Sequence, residues 1–135
     1  MKTRLTANQN RLLQLYDRHA ETLVRDISST TPYTARVKRI LLQELRNQSP
    51  GIEIVALHLD MSVRSLQMKL KHEGTTYQQI LNSLRKSLAI AYLQDPRVSK
   101  GEIAHVLGFS EISVFSRTFK KWTGKSPSEY QAALI

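Results

Sequence analysis

The sequence predicts an all-α fold. Apolar residues recur at steps of three and four along almost the whole chain, and none of its segments keeps the period of two expected of a strand. Polar residues, Gly and Pro cut these stripes into short lengths with recognisable helix starts and stops. The 135 residues include no Cys, which excludes a disulfide framework, a zinc ribbon and a thiol nucleophile. The chain is long enough to bury a core without such staples.

Residues 8–27 carry Leu12, Leu13, Tyr16, Ala20, Leu23, Val24 and Ile27 on one stripe, which predicts an amphipathic helix. The polar run Ser28-Ser29-Thr30-Thr31-Pro32 breaks it and divides an N-terminal appendage, residues 1–31, from a main domain, residues 32–135. Thr31-Pro32 reads as a helix start, a capping hydroxyl followed by proline at the first helical position. Val37, Ile40, Leu41 and Leu45 continue that helix to about Asn47-Gln48.

Shorter helices follow. Ser49-Pro50 opens Ile52–Leu59, and Ser62 opens Val63–His72, which Glu73-Gly74 closes with a left-handed glycine. Thr76 opens the longer Tyr77–Leu93, with Ile80, Leu81, Leu84, Leu88, Ala91 and Tyr92 on one side, and Asp95-Pro96 stops it. Ser99 and Glu102 have capping-box spacing ahead of Ile103–Leu107, although Gly101 weakens that turn. Ile112–Trp122 ends at Gly124, and Ser126-Pro127-Ser128-Glu129 opens a last helix through Leu134.

Two of these stretches, about 48 residues apart, share one grammar. The first runs Val55-Ala56-x-x-Leu59-x-Met61-Ser62-x3-Leu66-x3-Leu70. The second runs Ile103-Ala104-x-x-Leu107-x-Phe109-Ser110-x4-Phe115-x3-Phe119. Each is a short helix with a small inner Ala, a tight turn, and a second helix with apolar residues four apart, as a helix-turn-helix requires. The Ala lets the helices cross closely, and Met61 or Phe109 plugs the angle between them. Ser62 and Ser110 are placed to cap the second helices and leave amide donors facing a phosphate.

The charge agrees with a polyanionic partner. Lys and Arg number 20 against 11 Asp and Glu, a formal net charge of +9. The first helix-turn-helix spans about residues 50–73, the linker helix about 76–94 and the second about 99–123. The 17 residues of Tyr77–Leu93 make a linker about 25 Å long, and with the half-width of each module added the two second helices are expected about 34 Å apart, one turn of B-DNA.

Residues 33–131 resemble the DNA-binding domain of the AraC/XylS family of bacterial transcription regulators. The second module carries the resemblance in Ile103-Ala104, Leu107-Gly108-Phe109, Ser113, Phe115, Arg117, Phe119-Lys120, Gly124, Pro127 and Tyr130. The first carries it in Met61-Ser62, Leu66-Gln67, Leu70 and Gly74-Thr75. The closest branch has a large amino-terminal sensor domain. The resemblance implies transcription regulation, usually activation, through a two-part site. It also implies contact with RNA polymerase and a small-molecule effector acting through a sensor domain. It leaves residues 1–32 unaccounted for.

The outward face of the first module's second helix offers Arg64, Gln67 and Met68 to base edges. Arg suits guanine and Gln adenine, each good pair contributing about 1–3 kcal/mol of discrimination. The family usually has a basic residue where Met68 stands; a thioether touches a thymine methyl but donates no hydrogen bond. The second module offers Glu111, Ile112, Ser113, Ser116 and Arg117, with Arg117 the leading base-reading candidate. Phosphate contacts fall to Ser62, Lys71, Ser110, Lys120, Lys121 and Lys125. The plainer reading makes Arg117 an exposed arginine pairing Glu111 or Ser113, and each lysine a solubilising charge. Tyr77, Tyr92, Trp122 and Tyr130 sit among apolar neighbours and are expected in the core.

An enzyme is not expected. The four histidines lack metal-ligand spacing, no GxGxxG loop occurs among the five glycines, and no Ser-His-Asp arrangement offers a nucleophile. Neither cofactor nor metal is called for. No apolar run reaches a membrane helix and the start lacks a signal peptide, so a cytoplasmic protein without a membrane partner is expected. Two alternatives remain at this level. The helices form a protein-interaction module without specific DNA binding, or residues 8–27, with Arg11, Arg18 and Arg25, form a basic partner or membrane helix.

Overall fold

The apolar stripes fold as helices in the order the punctuation sets. The computed structural model describes residues 7–26, 31–44 and 51–134, and every regular element among them is helical. The elements are α1 (Ala7–Asp26), α2 (Pro32–Glu44), α3 (Ile52–His58), α4 (Val63–His72), α5 (Tyr77–Leu93), α6 (Lys100–Val106), α7 (Ile112–Thr123) and α8 (Pro127–Ala133).

The long helix α5 is the spine. It packs against α1, α2, α6 and α8, and its C-terminal end meets both α1 and α8, where the Gln131 side-chain amide donates to the Leu93 carbonyl at 3.0 Å. Its Leu88 and Tyr92 are fully buried, together with Val37 and Leu41 of α2, Leu66 and Leu70 of α4, Ile103 of α6, and Phe115 and Phe119 of α7. Side chains of this size each stabilise the fold by about 1.5–3 kcal/mol when buried. Tyr77, Trp122 and Tyr130 are half-buried against the same core, as expected of them.

Helix α1 joins this core. Leu12 and Tyr16 are buried, and the Tyr16 hydroxyl donates to the Leu42 carbonyl of α2. Arg11 approaches Asp95, beyond the end of α5, at 3.9 Å. The Leu12 and Tyr16 part of the α1 stripe is therefore occupied by packing against its own chain, while Val24 stays exposed. The boundary drawn at residues 28–32 falls largely outside the described residues, as do Ile27, Leu45, Asn47-Gln48 and Ser49-Pro50.

Most of the punctuation behaves as its chemistry dictates. Ser62 Oγ accepts the Ser65 amide at 3.1 Å. Thr76 with Gln79, Ser99 with Glu102, and Ser126 with Glu129 form complete capping boxes. Each such cap stabilises its helix by about 1 kcal/mol. Gly74 and Gly124 close α4 and α7 with φ of 85° and 83°.

Two expected caps are corrected. Ser110 does not cap α7: the residue before that helix is Glu111, extended at φ −147° and ψ 153°, with no side-chain cap bond. The second repeat has one more residue between its serine and its first buried aromatic, so Ser110 stands one position too early. Thr31 precedes Pro32 as expected but does not accept the first-turn amides of α2. The Tyr33 and Thr34 amides donate instead to the Glu73 carboxylate at 2.9 and 2.8 Å, and the Thr31 hydroxyl itself donates to Glu73.

Candidate nucleic-acid interface

The sequence repeat is also a repeat of geometry. At the end of α3 the Met61 amide donates to the Ala56 carbonyl at 3.0 Å and the Asp60 amide to Leu57 at 3.1 Å. At the end of α6 the Phe109 amide donates to Ala104 at 2.9 Å and the Gly108 amide to His105 at 3.1 Å. Both are Schellman turns, which need a left-handed residue. Asp60 (φ 55°) and Gly108 (φ 86°) supply it. Ala56 and Ala104 are buried at the two crossings, as a close helix–helix approach requires.

Each turn fixes the roll of the helix that follows it. In α4, Leu66 and Leu70 point inward; in α7, Phe115 and Phe119 do. Phe109 packs at the angle of the second module, with its ring centroid 5.4 Å from Phe115 and 6.1 Å from Trp122. Phe119 meets Tyr130 of α8 edge-on at 5.4 Å. The second module thus has an aromatic interior where the first has an aliphatic one.

The opposite faces are left to solvent. Arg64, Gln67, Met68 and Lys71 are exposed on α4, and Ile112, Ser113, Arg117, Lys120 and Lys121 on α7. Glu111 and Lys125, which flank α7, and Ser62 and Ser110 are exposed too, whereas Ser116 is half-buried. Among the described residues neither Arg64 nor Arg117 has an ion pair; the Glu111 carboxylate takes the Ser113 hydroxyl at 3.3 Å. Ser62 is already engaged, since its hydroxyl also donates to Ser65 Oγ at 3.0 Å.

Two large apolar side chains stand on these faces, Met68 at 53% exposure and Ile112 at 52%. Ile112 is steadied from behind: a Cβ built on Gly101 of α6 would lie 3.1 Å from its Cδ1. The glycine that weakens the first turn of α6 thereby lets α6 and the start of α7 approach closely.

Three supporting contacts escaped sequence reasoning because they join residues far apart in the chain. Glu73 binds the start of α2, as described above. Arg85 of α5 lies with its guanidinium carbon 5.1 Å from the Phe109 ring centroid, tying the spine to the second turn. Its burial lowers its pKa. The ring of Tyr33 takes Arg36 at 5.5 Å and Lys69 of α4 at 5.6 Å. The one local hint was an acidic residue at the C-terminal end of α4, where the helix dipole disfavours negative charge.

Known proteins share this arrangement. Residues 55–133 match a family model described as a helix-turn-helix domain. The ornithine utilization regulator of Pseudomonas aeruginosa is 40% identical over 121 residues, covering 90% of this chain and 35% of that protein. A DNA-binding transcriptional dual regulator from Escherichia coli K-12 superposes with a TM-score of 0.71 at 26% identity, covering 78% of this chain and 94% of the other. The DNA-binding domain of AdpA, a global transcriptional factor solved in complex with a target DNA, superposes with a TM-score of 0.66. It is 26% identical, covering 76% of this chain and 93% of that one. The chain spans about a quarter to a third of the length of the curated relatives it matches. With both turns, both inward pairs and the second-module signature in place, the chain belongs to the AraC/XylS family of helix-turn-helix transcription regulators.

Proposed function

We propose that this chain binds double-stranded DNA sequence-specifically and regulates transcription, as an activator, with α4 and α7 in successive major grooves. The observation that carries the reading is the pair of matching Schellman turns, each of which leaves a polar helix face outward with an arginine free of ion pairs among the described residues. Arg64 and Gln67 read bases in one half-site and Arg117 in the other. Met68 and Ile112 meet thymine methyls, the apolar group of the major groove. Glu111, Ser113 and Ser116 border the second contact. Lys71, Lys120, Lys121 and Lys125, with Ser62 capping α4 and Ser110 just ahead of the residue before α7, face phosphates.

The modules differ in interior and in outer face, so one chain suits an asymmetric site of about 20 base pairs. No catalytic step is assigned. Among the described residues no helix is long and apolar enough to cross a membrane, and the reading places the protein in the cytoplasm. RNA polymerase is the protein partner it assigns. A small-molecule effector would act through a further domain, for which the greater length of the relatives leaves room. Leu57 on α3, 74% exposed, favours a protein contact beside the DNA contact.

The test is selection of duplexes from a randomised pool, followed by fluorescence-anisotropy titration at several salt concentrations. Enriched sites with two unequal halves about one helical turn apart support the reading. Salt-sensitive binding without enrichment would reduce it to a nonspecific DNA-binding domain. No binding at low salt would leave a protein-interaction module.

A further inference from the structure

Glu73 follows α4 directly and gathers four donors from the start of α2. Its Oε2 accepts the Tyr33 amide at 2.9 Å. Its Oε1 accepts the Thr34 amide at 2.8 Å, the Thr34 hydroxyl at 2.7 Å and the Thr31 hydroxyl at 2.6 Å. The first amides of a helix have no partner within it, and here a carboxylate some 40 residues away provides one. Beside it, Lys69 reaches over the Tyr33 ring. Behind the joint, α2 is rooted in the core by Val37, Leu41 and Leu42.

The direction of this clamp matters. At 100° per residue, Lys69 and Glu73 lie about 140° and 180° around the α4 axis from Arg64, whereas Gln67, Met68 and Lys71 stay within about 60° of it. Leu66 and Leu70 fill the remaining side, facing the core. The helix is therefore gripped from the back of its outward face, at the end away from the turn.

We propose that Glu73 is a positioning residue for DNA recognition. By clamping α4 to α2 from the face opposite Arg64 and Gln67, it sets the roll and depth at which the first module presents those side chains to base edges. The inference rests on the reading that α4 enters the major groove. A bidentate contact tolerates little rotation of the helix, so loosening the back of α4 blunts base discrimination in one half-site only.

Glu73→Gln tests this, because it keeps the shape but sets an amide NH2 group among four donors. Thr34→Val removes one of the four bonds and serves as a milder second variant. Both are titrated by anisotropy against a duplex selected by the wild-type chain, and against duplexes with one changed base pair in either half-site. Wild-type discrimination of about tenfold or more per base pair is expected. In Glu73→Gln it falls to about threefold or less at the first half-site and holds at the second. Thr34→Val gives an intermediate loss. A merely structural role lowers the folded fraction and weakens all duplexes alike, leaving both ratios unchanged. Unchanged first-half-site ratios in both variants would overturn the proposal while the DNA reading stands. Absence of discrimination in the wild type would overturn that reading, and the proposal with it.

Discussion

Asp60 and Gly108 hold the same place in the two turns. Both have positive φ, 55° and 86°, and both amides donate to the carbonyl three residues back at 3.1 Å. Only one of them is a glycine. An L-residue in this region costs about 1 kcal/mol or more, less for Asp or Asn than for others. Gly108→Ala is accordingly expected to lower stability by about 1–2 kcal/mol. Asp60→Gly changes it by less than about 0.5 kcal/mol, because relief of strain offsets the added freedom of the unfolded chain. Thermal unfolding followed by circular dichroism measures both. Equal losses in the two variants would show that the turns are not equivalent.

Glu73 gives the fold an acid-sensitive joint. Partial burial opposes ionisation, but the hydroxyls of Thr31 and Thr34 and the amides of Tyr33 and Thr34 outweigh it and hold the pKa at about 2, against an ordinary 4.5. A folded-state pKa below the unfolded one contributes stability in full above about pH 4.5 and loses it as pH falls toward 2. Wild type should thus exceed Glu73→Gln in melting temperature at pH 6, and the gap should close on approaching pH 2. Asp95 and Glu129 also have lowered pKa values, through hydrogen bonds from Arg97 and from Ser126 respectively, but are common to both proteins and cancel. A gap independent of pH would rule out the carboxylate as its source.

How much of this was legible in the sequence depends on reach. Thr76, Ser99 and Ser126 act within one helical turn of themselves, so their caps were readable from spacing alone. The buried residues Leu66, Leu70, Phe115 and Phe119 followed from period, and the left-handed Gly74 and the helix end at Gly124 from position. Ser110 misled because similarity between the repeats hid a one-residue offset. Glu73 and Arg85 were invisible because their partners lie in other helices, and nothing local fixes which helices meet. For the same reason the outward faces of α4 and α7 could be drawn from the sequence, but not what holds them at their angle.

The contact between Arg85 and the Phe109 ring should stiffen the second module against the spine. A cation over an aromatic face at this distance, partly desolvated, contributes about 0.5–2 kcal/mol. Arg85→Met, which keeps much of the packing volume, is expected to reduce amide-exchange protection in α6 and α7 more than in α3 and α4. Uniform loss across all four helices would mean that the contact does not act locally.

The lysines make a separable prediction. Each phosphate contact removed should lower the steepness of log affinity against log salt by about 0.9. Lys120→Ala with Lys121→Ala should flatten the slope by up to about 1.8 and weaken cognate and scrambled duplexes alike. Arg64→Ala and Arg117→Ala should instead relax base preference in separate half-sites, each by about 1–3 kcal/mol. Anisotropy titrations across a salt series read both quantities. An unaltered slope in the double lysine variant would place those side chains off the backbone.

The central claim is that one rigid spine carries two unequal readers about one turn of DNA apart. A spacing series tests it most directly. Five base pairs inserted between the halves of a selected site turn the second half to the opposite face of the duplex, about half a helical turn away. Affinity should then fall at least about tenfold, to that of a duplex carrying one half alone. Ten inserted base pairs should not restore it, because α5 cannot lengthen. Unchanged affinity after the five-base-pair insertion would contradict the account, since it would mean that the two modules do not grip the duplex together.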